Sequence, residues 1–116
     1  SRKNTFFRQV IFTSKYSQLV LMSLKPGEDI GLETHQNVDQ FFRIESGRGK
    51  VIMNGEERFI EDGDAIVIPA GVEHNITNNS ADQPLKLYTI YSPPNHRDGV
   101  IHKTKEEAQA DKTDEV

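Results

Sequence analysis

Apolar and β-branched residues recur in short runs along this chain, and each run ends in turn-forming residues. Stretches 9–13, 18–24, 30–35, 40–45, 50–53, 57–60, 65–68, 73–77 and 85–91 read as extended. Lys25-Pro26-Gly27-Glu28 is a turn, because proline pre-sets φ and the glycine tolerates a positive φ. Asn54-Gly55 between two extended runs is a strong hairpin signal. Glu61-Asp62-Gly63-Asp64 and Pro69-Ala70-Gly71 mark two further turns, and Ser92-Pro93-Pro94 stops the series. Strands this short, with turn signals this regular, predict an all-β sandwich or barrel. Helical periodicity is absent until Thr104-Lys105-Glu106-Glu107, a capping box that opens a short helix with little apolar content. The expected organisation is one barrel over residues 1–102, followed by a short helix or frayed charged tail over 103–116.

Composition narrows the functional classes. The chain has 116 residues, 34% hydrophobic and 28% charged, which suits a single globular domain. Its net charge is −4 and its basic residues are scattered, so nucleic acid is not an expected partner. No apolar stretch approaches membrane-spanning length and nothing resembles a signal peptide. With no cysteine, disulfides, thiolate zinc sites and thiol nucleophiles are excluded. A cytoplasmic location is the expectation.

Alternation along a strand puts Glu33 and His35 on one face, and Gln40, Phe42 and Ile44 on one face of the next strand. Phe42 and Ile44 read as core, so Gln40 points inward, where its amide needs partners. His74 follows the Pro69-Ala70-Gly71 turn on a further strand. A single buried histidine in a β-core is ordinarily hydrogen-bonded and structural. An inward Glu, His and Gln near a second inward His are harder to satisfy by packing, and a divalent cation would satisfy all of them. Imidazole nitrogen with carboxylate and amide oxygen suits Zn, Mn, Fe or Ni.

The spacing Gly63-x5-Pro69-x-Gly71-x2-His74-x3-Asn78 resembles the second motif of the cupins, small double-stranded β-helix (jelly-roll) barrels, at every fixed position. Their first motif, G-x5-H-x-H-x3or4-E-x6-G, is met in part. Gly27 and Gly47 occupy its end glycines, Glu33 and His35 its two histidines, and Gln40 its glutamate. The resemblance covers about residues 18 to 91 and implies one divalent metal ion at Glu33, His35, Gln40 and His74. Two positions depart from the pattern, since Glu replaces the first His and Gln replaces Glu. The zinc site of the cupin-like phosphomannose isomerases is similar, with Gln and Glu exchanged. The resemblance therefore implies a sugar isomerase, similar to mannose-6-phosphate isomerase. A non-heme metal dioxygenase and a non-enzymatic small-molecule-binding barrel are the alternatives, because fold alone assigns no activity.

Cupins commonly pair, so a homodimer is expected by resemblance. Phe41, facing outward, together with Phe6 and Phe7, suggests apolar surface in need of cover. Tyr88 and Arg58 are possible ligand hydrogen-bond donors. His96 and His102 lie in an irregular segment and are expected at the surface.

Overall fold

In the larger of two antiparallel sheets, apolar side chains alternate inward along each strand. The structure is a computed structural model that describes residues 3–111. In chain order the strands are β1 (Arg8–Thr13), β2 (Gln18–Leu24), β3 (Asp39–Ser46), β4 (Arg48–Met53), β5 (Glu56–Glu61), β6 (Ala65–Ile68), β7 (His74–Thr77), β8 (Leu85–Ser92) and β9 (Ile101–His102), followed by helix α1 (Lys105–Ala110). One sheet has the order β6-β3-β8-β2-β1-β9 and the other β5-β4-β7. Neighbours far apart in sequence, such as β3 and β8, pair along most of their length. This is the all-β barrel that the strand pattern predicted, in the jelly-roll form that the resemblance implied.

Val20, Leu24, Phe42, Ile44, Ile76, Leu85 and Leu87 are completely buried between the sheets. Each such side chain contributes roughly 1.5–3 kcal/mol over an exposed one. Polar residues share this inward face at one end of the barrel. Gln40, Tyr91 and Gln18 stand side by side across β3, β8 and β2, and all three are buried.

The expected strand over 30–35 is replaced by something less regular. Residues 29–33 lie along the free edge of β7 but make only two isolated bridges, Asp29 with Thr77 and Glu33 with His74. The first stretch takes four steps between these bridges and the facing stretch takes three, so one residue is extra. Gly31 absorbs it with φ of 98°, a left-handed conformation that a Cβ would strain. Its N–H turns away from the ladder and donates to Asn75 Oδ1 at 3.1 Å, while Asn75 Nδ2 donates to Asp29 Oδ2 at 3.0 Å.

The region after β8 also departs from expectation. His96 and His102 are buried, at 4% exposure each, instead of lying at the surface. Gln18 is the cause for His96. Its Oε1 accepts from the backbone N–H groups of Asn95 and His96, and its Nε2 donates to the His96 carbonyl. His102 is drawn in because β9 adds to the edge of β1, opposite Arg8. Phe7 is likewise core, at 3% exposure, because its backbone is tied to both Ser23 and Lys103. Phe41 remains half-buried on the outer face, against Tyr88.

Helix α1 is short and buries no residue fully. Thr104 caps it by accepting from the Glu107 N–H, and Glu107 reaches back to Lys103 N–H. An ion pair from Lys105 to Asp29 ties the helix to the bulged edge. Asp29 is held below the usual carboxylate range, chiefly by its hydrogen bond from Lys105 and then by Asn75. The stabilisation it carries is therefore present above the unfolded value and lost as pH falls through the folded one. Lys105→Met is expected to cost no more than about 1 kcal/mol at neutral pH, as for other partly exposed pairs. Urea denaturation of the two proteins should begin to converge as pH falls below about 4, the usual aspartate range, and meet once Asp29 protonates in the folded state.

Candidate metal centre

His74 opens β7 directly after a turn in which Val72 N–H donates to the Pro69 carbonyl. Gly71 takes φ of 86° in that turn, which spares the backbone a strained Cβ. Its N–H donates to the His35 carbonyl at 2.8 Å, so the turn before one imidazole also holds the backbone of the other. Glu33 N–H donates to the His74 carbonyl and His74 N–H to the Glu33 carbonyl, both at 2.9 Å.

These backbone bonds bring three ligand atoms together. One atom each from Glu33, His35 and His74 lies within 4.8 Å of the others. His74 is buried at 1% exposure, and its Nδ1–H donates to the Val72 carbonyl at 3.0 Å. That bond leaves the Nε2 lone pair as an acceptor, and Nε2 is buried with no hydrogen-bond partner. A buried polar atom left unpaired costs about 1–3 kcal/mol. The carbonyl-held imidazole with its other nitrogen bare is the arrangement that metal-ligating histidines use.

His35 Nε2 lies 3.0 Å from Glu33 Oε2, sharing a proton with it. Burial raises the Glu33 pKa, but the hydrogen bond from His35 and the charges of His35, Arg8 and His74 outweigh it. The net effect holds Glu33 below its usual value, so the carboxylate is ionised at neutral pH. Phe42 packs its ring edge near His74 at 6.2 Å, and Tyr91 meets His35 edge-on at 5.9 Å.

Gln40, buried at 1%, donates through Nε2 to Thr89 Oγ1 at 3.0 Å. Its Oε1 is buried and lacks a hydrogen-bond partner. The convergent group contains an ionised carboxylate and two imidazoles, a donor set that fits a borderline divalent cation. Tyr88 and Arg58 do not join it. Tyr88 faces away from the barrel on β8, and Arg58 is exposed beside Glu56. Tyr91 escaped notice in the sequence, and His96 was expected at the surface. Tyr91 Oη lies 3.1 Å from His96 Nε2, and the Tyr91 ring flanks His35. The inward alternation of β8 is the signal that marks Tyr91; nothing local marks His96.

The fold is a small jelly-roll barrel with a convergent His/Glu group that could hold a metal ion. Residues 20–91 match the family model described as Cupin domain, and the chain belongs to that family. It is 51% identical to the uncharacterized protein YrkC of Bacillus subtilis (strain 168) over 116 residues, covering 95% of this chain and 62% of YrkC. The chain thus spans about three fifths of that relative's length. The crystal structure of BH2720 from Bacillus halodurans superposes with a TM-score of 0.92 at 45% identity, covering 95% of this chain and 87% of the other. A more distant similarity, 28% over 72 residues, is to the mannose-1-phosphate guanylyltransferase of Salmonella montevideo, covering 62% of this chain and 15% of that protein. No helix among the described residues is long and apolar enough to cross a membrane.

The bulge that aims Glu33 at His74 depends on Gly31. Gly31→Ala is expected to destabilise the fold by about 1 kcal/mol in chemical denaturation, because the left-handed φ must be kept. A variant as stable as the parent would show that residues 29–33 relax without cost.

Proposed function

We propose that this cupin binds one divalent ion, Zn, Mn, Fe or Ni, through Glu33, His35 and His74 with the Gln40 amide oxygen. We propose further that it acts on a small hydroxy-carbonyl compound in the manner of a sugar isomerase. The observation that carries the reading is the buried, unpartnered Nε2 of His74, beside an ionised Glu33 and an imidazole. A bound cation would polarise a carbonyl and its neighbouring hydroxyl. The residues do the rest. Val72 fixes the His74 imidazole, the Gly71 turn holds the backbone of His35, Phe42 packs its ring near His74, and Thr89 holds the Gln40 amide. Tyr91, hydrogen-bonded to His96, offers a hydroxyl beside His35. The mannose substrate class is supported by the exchanged Glu and Gln relative to the phosphomannose isomerase site and by the distant guanylyltransferase similarity.

A second reading rests on the same geometry. Two histidines and one carboxylate match the ligand count of non-heme iron oxygenases. Oxygen consumption by the iron-loaded protein with small catechols or diketones would select it, and turnover of mannose-6-phosphate with Zn²⁺ would select the isomerase.

Metal content separates both from a metal-free binding barrel. Elemental analysis of the native protein is expected to find one metal per chain. His74→Ala should weaken binding at least about a hundredfold, more than loss of a supporting residue does. Gln40→Glu should strengthen it by adding a second carboxylate while destabilising the metal-free protein. Full occupancy in His74→Ala would refute the site.

We also propose that the chain forms a homodimer through the outer face of the larger sheet. Ile11, Leu19, Leu21, Tyr88 and Ile90 line an apolar groove there, and nearby Val67 is 59% exposed. Light scattering should report twice the 13.2 kDa chain mass, and Leu21→Asp should give monomers. A monomeric parent protein would remove the proposal.

A further inference from the structure

The two sheets do not join on every side. β6 ends the larger sheet and β5 ends the smaller one, so no ladder of hydrogen bonds links their outer edges. A groove of about 390 Å³ runs between them. That volume lies within the range of small-molecule sites, roughly 300–1,000 Å³. Val51 and Ile60 line the groove and are buried, at 2% and 6% exposure. Met53 and Ile66 also line it and are only partly buried, although they pack against the core.

Two separate pairings lead from the groove to His74. Met53 stands opposite His74 in the β4–β7 ladder. Opposite residues of an antiparallel pair share a face, so these two side chains are neighbours inside the barrel. Ile66 stands opposite Phe42 in the β3–β6 ladder, and the Phe42 ring lies 6.2 Å from the His74 ring. One wall of the groove therefore adjoins His74 directly, and the other adjoins it through Phe42.

Arg58 and Asp64 also line the groove, and each has a partner of its own. Arg58 Nη2 lies 3.6 Å from Glu56 Oε1, and Asp64 Oδ2 accepts from the Glu61 N–H at 2.8 Å. What the groove presents to a ligand is apolar contact.

We infer that the groove between β5 and β6 receives an apolar arm of the ligand whose oxygen atoms reach the Glu33–His35–His74 group. The continuity with His74 through Met53 and Ile66 names the occupant. The inference rests on the metal-site reading above and deepens it. Among hydroxy-carbonyl compounds it selects those that carry an alkyl or aryl substituent over the bare polyol. Met53 and Ile66 are the specificity-determining residues.

Calorimetry with a homologous series tests it: acetohydroxamate, butyrohydroxamate and hexanohydroxamate, each titrated into Zn²⁺-loaded protein. The adjacent carbonyl and hydroxyl oxygens stay constant along the series and only the alkyl arm grows. Each two added methylenes should tighten binding by about tenfold if they are buried. Ile66→Trp, which fills the groove, should remove that dependence on chain length while leaving Zn²⁺ stoichiometry and acetohydroxamate affinity unchanged. Met53→Gln, of similar size but polar, should reduce the dependence several-fold and serves where Ile66→Trp fails to fold. Equal affinity for the three probes, no binding of any, or a dependence untouched by both variants would overturn the inference. So would a dependence that fades as protein concentration rises, which would assign the groove to a second copy of the chain. Failure to load Zn²⁺ would overturn the metal site and the inference with it, whereas full loading with equal affinities overturns the inference alone.

Discussion

The reciprocal backbone bonds between Glu33 and His74 hold this structure's chemistry together. Two N–H···O bonds of 2.9 Å attach an irregular edge to β7, and they do so at the two residues whose side chains face each other. Without that bridge the carboxylate would lie on a free loop. With it, a carboxylate and two imidazoles converge although they arise from segments some forty residues apart. The bulge at Gly31 and its Asn75 clamp let the edge follow β7 while carrying one extra residue.

The polarity of the barrel interior follows from how those bonds aim the side chains. Most inward positions are filled by Val, Leu, Ile and Phe, which need no partner. At one end the inward row is Gln18, Gln40 and Tyr91, and here the interior must satisfy polar atoms. Gln18 succeeds by gripping the backbone of residues 95 and 96. Gln40 and His74 are each satisfied on one atom and bare on the other. Among the described residues five buried side-chain polar atoms lack a hydrogen-bond partner, and the two acceptors among them belong to Gln40 and His74; such atoms lower stability unless something occupies them.

The metal-site reading and the dimer proposal concern different surfaces of one scaffold. The first uses the ends of β3 and β7 and the edge before β3. The second uses the outward face of the larger sheet, where alternation leaves apolar side chains uncovered. Chemistry and assembly are thereby separated by the strand period itself.

Much of this was legible in the chain. Regular turn signals announced the strands, Asn54-Gly55 lies between β4 and β5, and the Gly63–Asn78 spacing pointed to the family and to His74. Alternation correctly turned Gln40, Phe42 and Ile44 inward, because a period of two survives any tertiary arrangement. What the sequence could not express were partnerships without a local signature. His96 meets Gln18 across 78 positions, and His102 meets Arg8 across 94. Both histidines, and Phe7, are buried because distant backbone closes over them. Whether Glu33 and His35 belonged to a regular strand was likewise undecided, since one inserted residue shifts a register without altering composition. Periodicity thus determined the barrel and one face of its site. Only the long-range closure of the C-terminal segment and the bulged edge decided which polar groups are buried together.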